Sequence, residues 1–369
     1  MLTSCVRFIK KNTVLAIAMA AALITMCIMP PDAAYAGYLD FKTLTCLFCV
    51  LAVVCALKNV RFFTFLARKI VQLTGNARMA ILALVYITFI GSMLIANDMA
   101  LLTFLPLGYY VLAATGQMKY LAFTFIMQNI AANLGGMLTP FGNPQNLYLY
   151  TRFSIPNGEF VSIMWPPFAL AVALITVCCL FVRGEKLSLA RDESPAPPRG
   201  RTAIYLLLFA LAIVIVFRAI PYWIGLIVIP AALLILDRKA LKQVDYALLF
   251  TFVCFFLFAG NMARIPAVRS FFSAALEKST LLMSAASCQV ISNVPTAILL
   301  SQFTDNYREL LWGVNIGGTG TLIASLASLI TFREYTRIYP GRAGYYIARF
   351  SAFNFGFLAV MLLFCQLLR

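Results

Sequence analysis

Asp98 is the one acid in the middle of a long apolar stretch, which runs from about Met79 to Ala114 and is interrupted only by Asn97-Asp98. Burying a carboxylate in a hydrocarbon interior is costly unless it is paired or carries a proton, so an acid in that position points to function. As a carboxylate, Asp98 would ligate a sodium ion with Asn97, Asn143 and the carbonyls of a neighbouring broken helix. As an acid it would cycle a proton. Its plainer role would be to cap the second arm of a hairpin.

Shortly downstream, the run NLGGMLTPFGNPQNL carries Asn133, Gly135, Gly136, Thr139, Gly142, Asn143, Gln145 and Asn146, with Pro140 and Pro144 among them. Glycine and proline at this density interrupt a helix, and the amides and hydroxyl can face an oxyanion or a cation. A second copy lies in the C-terminal half. SNVPTAILL holds Ser292, Asn293 and Thr296, and NIGGTGTLIASLASL holds Asn315, Gly317, Gly318 and Thr321. Placing Asn133 over Asn315 matches Gly135 with Gly317, Gly136 with Gly318, Thr139 with Thr321 and Leu147 with Leu329, and sets Ser325 and Ser328 opposite Asn143 and Asn146. One glycine-rich membrane helix is ordinarily a packing device. Two in register, each behind an Asn-bearing interruption, argue for a transport site.

These residues need elements to hold them, and composition names the solvent. Of 369 residues, 62% are apolar and 11% charged, with a mean hydropathy of +0.90, which only a bilayer accommodates. The formal charge of +16 sits in short loops and is explained by the excess of Lys and Arg on the cytoplasmic side, which excludes a nucleic-acid partner. There is no histidine, and the ten cysteines lack metal-ligand spacing, so zinc sites and His-based hydrolytic chemistry fall away and no enzyme is expected.

Runs long enough to cross predict an all-α polytopic membrane protein of about nine spans and two re-entrant hairpins. The spans fall near residues 13–29, 40–57, 120–150, 162–182, 203–219, 222–236, 245–260, 310–331 and from 345 onward. The hairpins fall near 79–114 and 280–303, with tips at Asn97-Asp98 and Ser292-Asn293. The N-terminal run, with Arg7, Lys10 and Lys11 before it and Ala34, Tyr35, Ala36 after it, imitates a signal peptide but is read as a first span. Residues 1–182 form a first repeat, 183–202 a polar cytoplasmic linker, and 203–369 an extra span and a second repeat of inverted orientation. This arrangement leaves Lys42, Arg152, Arg218, Arg264, Arg269, Lys278, Arg308 and Arg369 as the only basic residues on the outer face, with the N-terminus inside and the C-terminus outside a cell (inner) membrane. Arg218, Arg264 and Arg269 are expected to snorkel to the headgroups and stand outside the site.

NDMALLTFLPL resembles the Asn-Asp-led hairpin of arsenite permeases, and GGMLTPFGNPQN is similar to the glycine-rich helix of the ion transporter superfamily, which also holds sodium/proton antiporters and citrate or divalent-anion symporters. SNVPTAILL and NIGGTGTLIASLASLI resemble the partners of these motifs in the second repeat, although Ala324 stands where relatives often carry glycine. The resemblance implies a homodimer in which a transport region moves against a scaffold, carrying a small inorganic or carboxylate anion with sodium or protons. Divalent-anion symporters carry Ser-Asn-Thr at both tips. This chain has Ala96-Asn97-Asp98 and Ser292-Asn293-Val294, which sets it apart from sodium-coupled dicarboxylate carriers. A sodium/proton antiporter or an arsenite efflux permease of the same clan is the competing reading, and a passive channel is the third.

Overall fold

Backbone polar groups in a hydrocarbon layer must be satisfied inside the protein, so apolar runs of this length become α-helices. The computed structural model describes residues 12–186 and 196–369. Arg7, Lys10, Lys11 and residues 187–195 of the polar linker lie outside the described residues. Among the described residues there is no strand beyond an isolated bridge between Asn76 and Lys186.

The first half consists of α1 (Thr13–Ile28), a 3-10 turn (Ala33–Tyr38), α2 (Phe41–Asn59), α3 (Phe62–Gln72), a hairpin of α4 (Ala77–Ile95) and α5 (Asn97–Ala114), a broken pair of α6 (Leu121–Gly135) and α7 (Pro144–Arg152), and α8 (Asn157–Leu180). α9 (Arg199–Val216) stands alone. The second half follows the same order: α10 (Tyr222–Leu236), a short α11 (Arg238–Gln243), α12 (Tyr246–Arg264), α13 (Pro266–Lys278), a hairpin of α14 (Thr280–Ile291) and α15 (Asn293–Leu300), a broken pair of α16 (Tyr307–Ile316) and α17 (Leu326–Ile338), and α18 (Ala343–Leu367). Polar residues at the starts set the boundaries: Asp40, Asn76, Asp245 and Asn306 each accept a first-turn amide with a side-chain oxygen.

Among the described residues, seven helical segments are long and apolar enough to cross a membrane. Two of the predicted spans are shorter, α1 with 16 residues and α10 with 15. The predicted span at 310–331 is two pieces, α16 and α17, separated by the glycine-rich break. The loops before both hairpins contain α3 and α13, which the apolar-run reading passes over. α3 buries only the narrow stripe Phe63, Ala67 and Val71, and its basic residues mark it as loop.

The two hairpins differ in depth. Arms of 12 and 8 residues make α14 and α15 roughly 18 and 12 Å long, too short to cross. The arms of the first hairpin have 19 and 18 residues, about 28 Å each, so length alone does not make it re-entrant. Its tip does. Asn97 bonds to Asn133, which stands about 18 Å along α6 from Leu121, well inside the layer.

Loop contacts divide the chain ends of the helices into two faces. On the first, Arg78 Nε donates to Val182 O (2.7 Å), Lys119 pairs with Glu185 (2.6 Å) and Asn59 bonds Asp237 (2.9 Å). On the second, Arg264 pairs with Asp32 (2.7 Å), Tyr307 bonds Glu159 (2.6 Å) and Arg369 pairs with Glu309 (2.7 Å). Each of these contacts joins loops that the basic-residue bias assigns to one side. Hairpin α4–α5 opens on the first face. Hairpin α14–α15 opens on the second, where Leu281 N donates to Glu309 Oε2 at 3.0 Å, so the two copies are inverted. The halves also exchange a helix. α1 packs along α12, with Asn261 donating to Thr25 Oγ1 and Tyr35 OH, while α10 packs along α2. α1 is thereby part of the packed structure.

Candidate substrate site

Both hairpins turn through one residue of positive φ, Ala96 (φ 64, ψ 152) and Ser292 (φ 72, ψ 160). Neither is glycine, and such a conformation costs on the order of 1–3 kcal/mol that the surroundings must supply. The next residue explains the asparagines. Asn97 Oδ1 accepts the N–H of Asp98 at 3.0 Å, and Asn293 Oδ1 accepts that of Val294 at 2.9 Å. A short amide folded onto the following N–H stabilises the turn and starts the second arm. Asp98 does not cap the second arm: the N-cap position belongs to Ala96, and no side chain caps that helix.

Each tip is tied to its own broken helix by the same pair of devices. Thr139 Oγ1 donates to Met93 O (2.8 Å) and Thr321 Oγ1 to Gln289 O (3.1 Å), both carbonyls lying three residues before the tip. Gly135 packs where a Cβ would strike Ser92 of α4, and Gly317 where one would strike Cys288 of α14. Asn143 and Ser325 occupy the N-cap positions of α7 and α17.

The two breaks meet in a buried set of asparagines. Asn97 Nδ2 donates to Asn133 Oδ1 (3.3 Å), Asn143 Nδ2 to Asn315 Oδ1 (3.2 Å) and Asn315 Nδ2 to Asn146 Oδ1 (2.6 Å). Asn146 Nδ2 in turn faces the carbonyls of Gly136, Met137 and Thr139, which the break leaves without helical partners. Gly318 marks the crossing point. A Cβ there would lie 3.1 Å from Asn293 Nδ2, 3.2 Å from Asn315 O and 3.5 Å from Asn133 Oδ1, so both repeats converge on one glycine. Gly136 and Gly142 are pressed together in the first break, Gly136 also against the Asn143 side chain. Ser292 Oγ donates to Ala324 O and Thr296 Oγ1 to Ser292 O, closing the second tip.

Asn97, Asn133, Asn143, Asn146, Asn293 and Asn315 are all at most 4% exposed. Two of the site's acceptors stand without donors, Asp98 Oδ1 and Asn143 Oδ1, and so does Gln145 Oε1 in the first turn of α7. Among the described residues no cation pairs with Asp98, and the hydrogen bonds of the asparagine set come from amides, hydroxyls and backbone, with no Lys or Arg. The buried set offers hard oxygen ligands and amide donors, with the half-buried Asp98 next to Asn97 in the chain.

Two residues outside the predicted set matter here. Gln289 reaches from α14 into the second break, donating to Gly317 O (2.9 Å) and Thr319 O (3.1 Å) and accepting from Thr321 N (2.8 Å). Its signal in the sequence is a lone amide in an apolar run three residues before a tip. Arg218, expected at the headgroups, instead donates to Tyr150 O and lies over the Tyr150 ring, 4.0 Å from its centroid.

The family described as citrate transporter matches residues 5–307. The chain is 31% identical over 295 residues to an uncharacterised transporter of Methanocaldococcus jannaschii, covering 80% of this chain and 81% of that protein. It is 30% identical over 288 residues to the inner membrane protein YbiR of Escherichia coli, covering 74% of each. A silicon efflux transporter of Oryza sativa subsp. japonica is 26% identical over 165 residues, covering 44% of this chain and 33% of that protein.

Proposed function

Because the chain belongs to the citrate transporter family and is a membrane transporter, we propose that it is a secondary active carrier of a small oxyanion or carboxylate, driven by sodium or protons through Asp98. The observation that carries this reading is the convergence of two inverted tips and two broken helices on Gly318, with Asp98 unpaired at one tip. Inverted repeats crossing at such a point suit alternating exposure of one central site. The starts of α5 and α15 at the tips turn helix N-termini toward that centre, which favours a negative group. Asp98 Oδ1 and Asn143 Oδ1, which lack donors, fit a sodium ion, and a proton on Asp98 serves the same end. The carrier sits in the cell membrane with the first face cytoplasmic, as a homodimer.

The test is flux into proteoliposomes with citrate, succinate, sulfate, phosphate and arsenite, with and without sodium and a pH gradient. Flux that follows one gradient and loses that dependence in Asp98→Asn is the expected outcome. Gradient-independent flux in both proteins would sink the reading. A second reading, transport of a neutral oxo-acid of the kind handled by the silicon efflux relative, draws on the absence of any basic side chain in the asparagine set. It predicts arsenite or silicic acid flux that ignores membrane potential.

A further inference from the structure

The turn between α9 and α10 lies on the second face and carries Phe217 and Arg218. Arg218 has φ 63, a conformation that a bulky side chain holds only when its surroundings demand it. Its guanidinium carbon lies over the Tyr150 ring, and one N–H is donated to Tyr150 O near the end of α7. Its Nε is enclosed and has no acceptor. The neighbouring Phe217 ring meets Phe141, 5.9 Å between centroids, and Phe141 directly precedes Gly142 and Asn143. Asn143 is the N-cap of α7, and Tyr150, which the guanidinium covers, lies about 10 Å further along that helix.

Of the basic residues on that face, Arg264 pairs with Asp32 and Arg369 with Glu309, whereas Lys42, Arg152, Arg269, Lys278 and Arg308, like Arg218, have no ion pair among the described residues. Arg218 meets a carbonyl and an aromatic face and, among the described residues, no carboxylate. A planar guanidinium held over an aromatic ring, with one N–H on a carbonyl and no counter-ion, matches the chemistry of carboxylate and oxyanion recognition.

Resting on the anion reading above, we propose that Arg218 is a specificity-determining residue that draws the transported oxyanion or carboxylate onto the second-face end of α7 and passes it to the asparagine site. It supplies the positive charge that the central site lacks. A purely structural Arg218 would only cap the final carbonyls of α7.

Arg218→Gln separates the two roles, because glutamine keeps an N–H donor for Tyr150 O and removes the charge. Initial rates are measured in proteoliposomes for an anion that the wild type carries, over a range of ionic strength. We expect KM to rise about tenfold with kcat held within about twofold, the salt dependence of kcat/KM to flatten, and Arg218→Lys to fall between. An unchanged KM, or a loss of kcat together with thermal stability, overturns the proposal. Each rate is taken in phosphatidylcholine vesicles and in vesicles with added phosphatidylglycerol. An effect confined to the latter assigns the guanidinium to a lipid headgroup and also overturns it. A wild type that carries only neutral oxo-acids refutes the anion reading itself, a result distinct from a wild type that carries anions with Arg218→Gln unaltered.

Discussion

Gln289→Leu removes an amide whose size the replacement nearly keeps, so its effect isolates hydrogen bonding. The side chain serves Gly317 O, Thr319 O and Thr321 N, groups left without helical partners by the second break. It also donates to Ala285 O, which lies inside α14 and has a helical partner in reach. Three backbone groups therefore lose a partner in a protein interior. Hydrogen bonds inside membrane proteins average about 0.6 kcal/mol and reach about 1.7, which gives roughly 2–5 kcal/mol for three if no water replaces the amide. Unfolding of the purified protein in mixed micelles by increasing sodium dodecyl sulfate, followed by tryptophan fluorescence and circular dichroism, reads that loss. The reasoning also demands a contrast. Met93 holds the matching place in the first repeat, where Asn146 fills the freed carbonyls instead, so Met93→Leu should cost less than about 1 kcal/mol. A destabilisation of Gln289→Leu below about 0.5 kcal/mol, or equal effects at the two positions, would refute the account of how the breaks are held.

Gly318→Ala places a methyl group between Asn293, Asn315 and Asn133, and is expected to lower initial transport rates more than about tenfold while costing about 1–3 kcal/mol of stability, measured on the same preparation. Ala96→Gly relieves the positive-φ tip at the loss of one buried methyl group, and should leave the protein about as stable or raise stability by about 1 kcal/mol, seen as a higher melting temperature. On the first face the Lys119 ammonium, helped by the Gln117 amide, holds the Glu185 carboxyl below its ordinary range. A depressed value means that this contribution is present above the ordinary glutamate pKa and is lost as pH falls through the lowered one. The pair is exposed, so the effect is small. Glu185→Gln should flatten the acid side of the melting curve against pH, between about pH 3 and 5.

Local patterns carried the fold class. Bilayer-length apolar runs, the charge bias of the loops and the glycine-proline interruptions depend on neighbours a few residues apart, and so do the Asn-bearing tips, whose amides fold onto the next N–H. The register of Asn133 with Asn315 could likewise be read from the chain. Two short helices escaped, because α3 and α13 bury too narrow a stripe to register as apolar runs.

Which side chain fills each broken backbone group was a matter for the tertiary structure. Glycine and proline announce that carbonyls are freed, yet the donors that satisfy them lie on whichever element packs alongside: Asn146 within the first repeat and Gln289 from the hairpin in the second. Asn143 finds Asn315 across 172 residues, and Arg218 finds Tyr150 across 68. The exchange of α1 and α10 between halves is of the same kind. A sequence specifies what a segment must bury or satisfy, and only the packed chain decides what it meets.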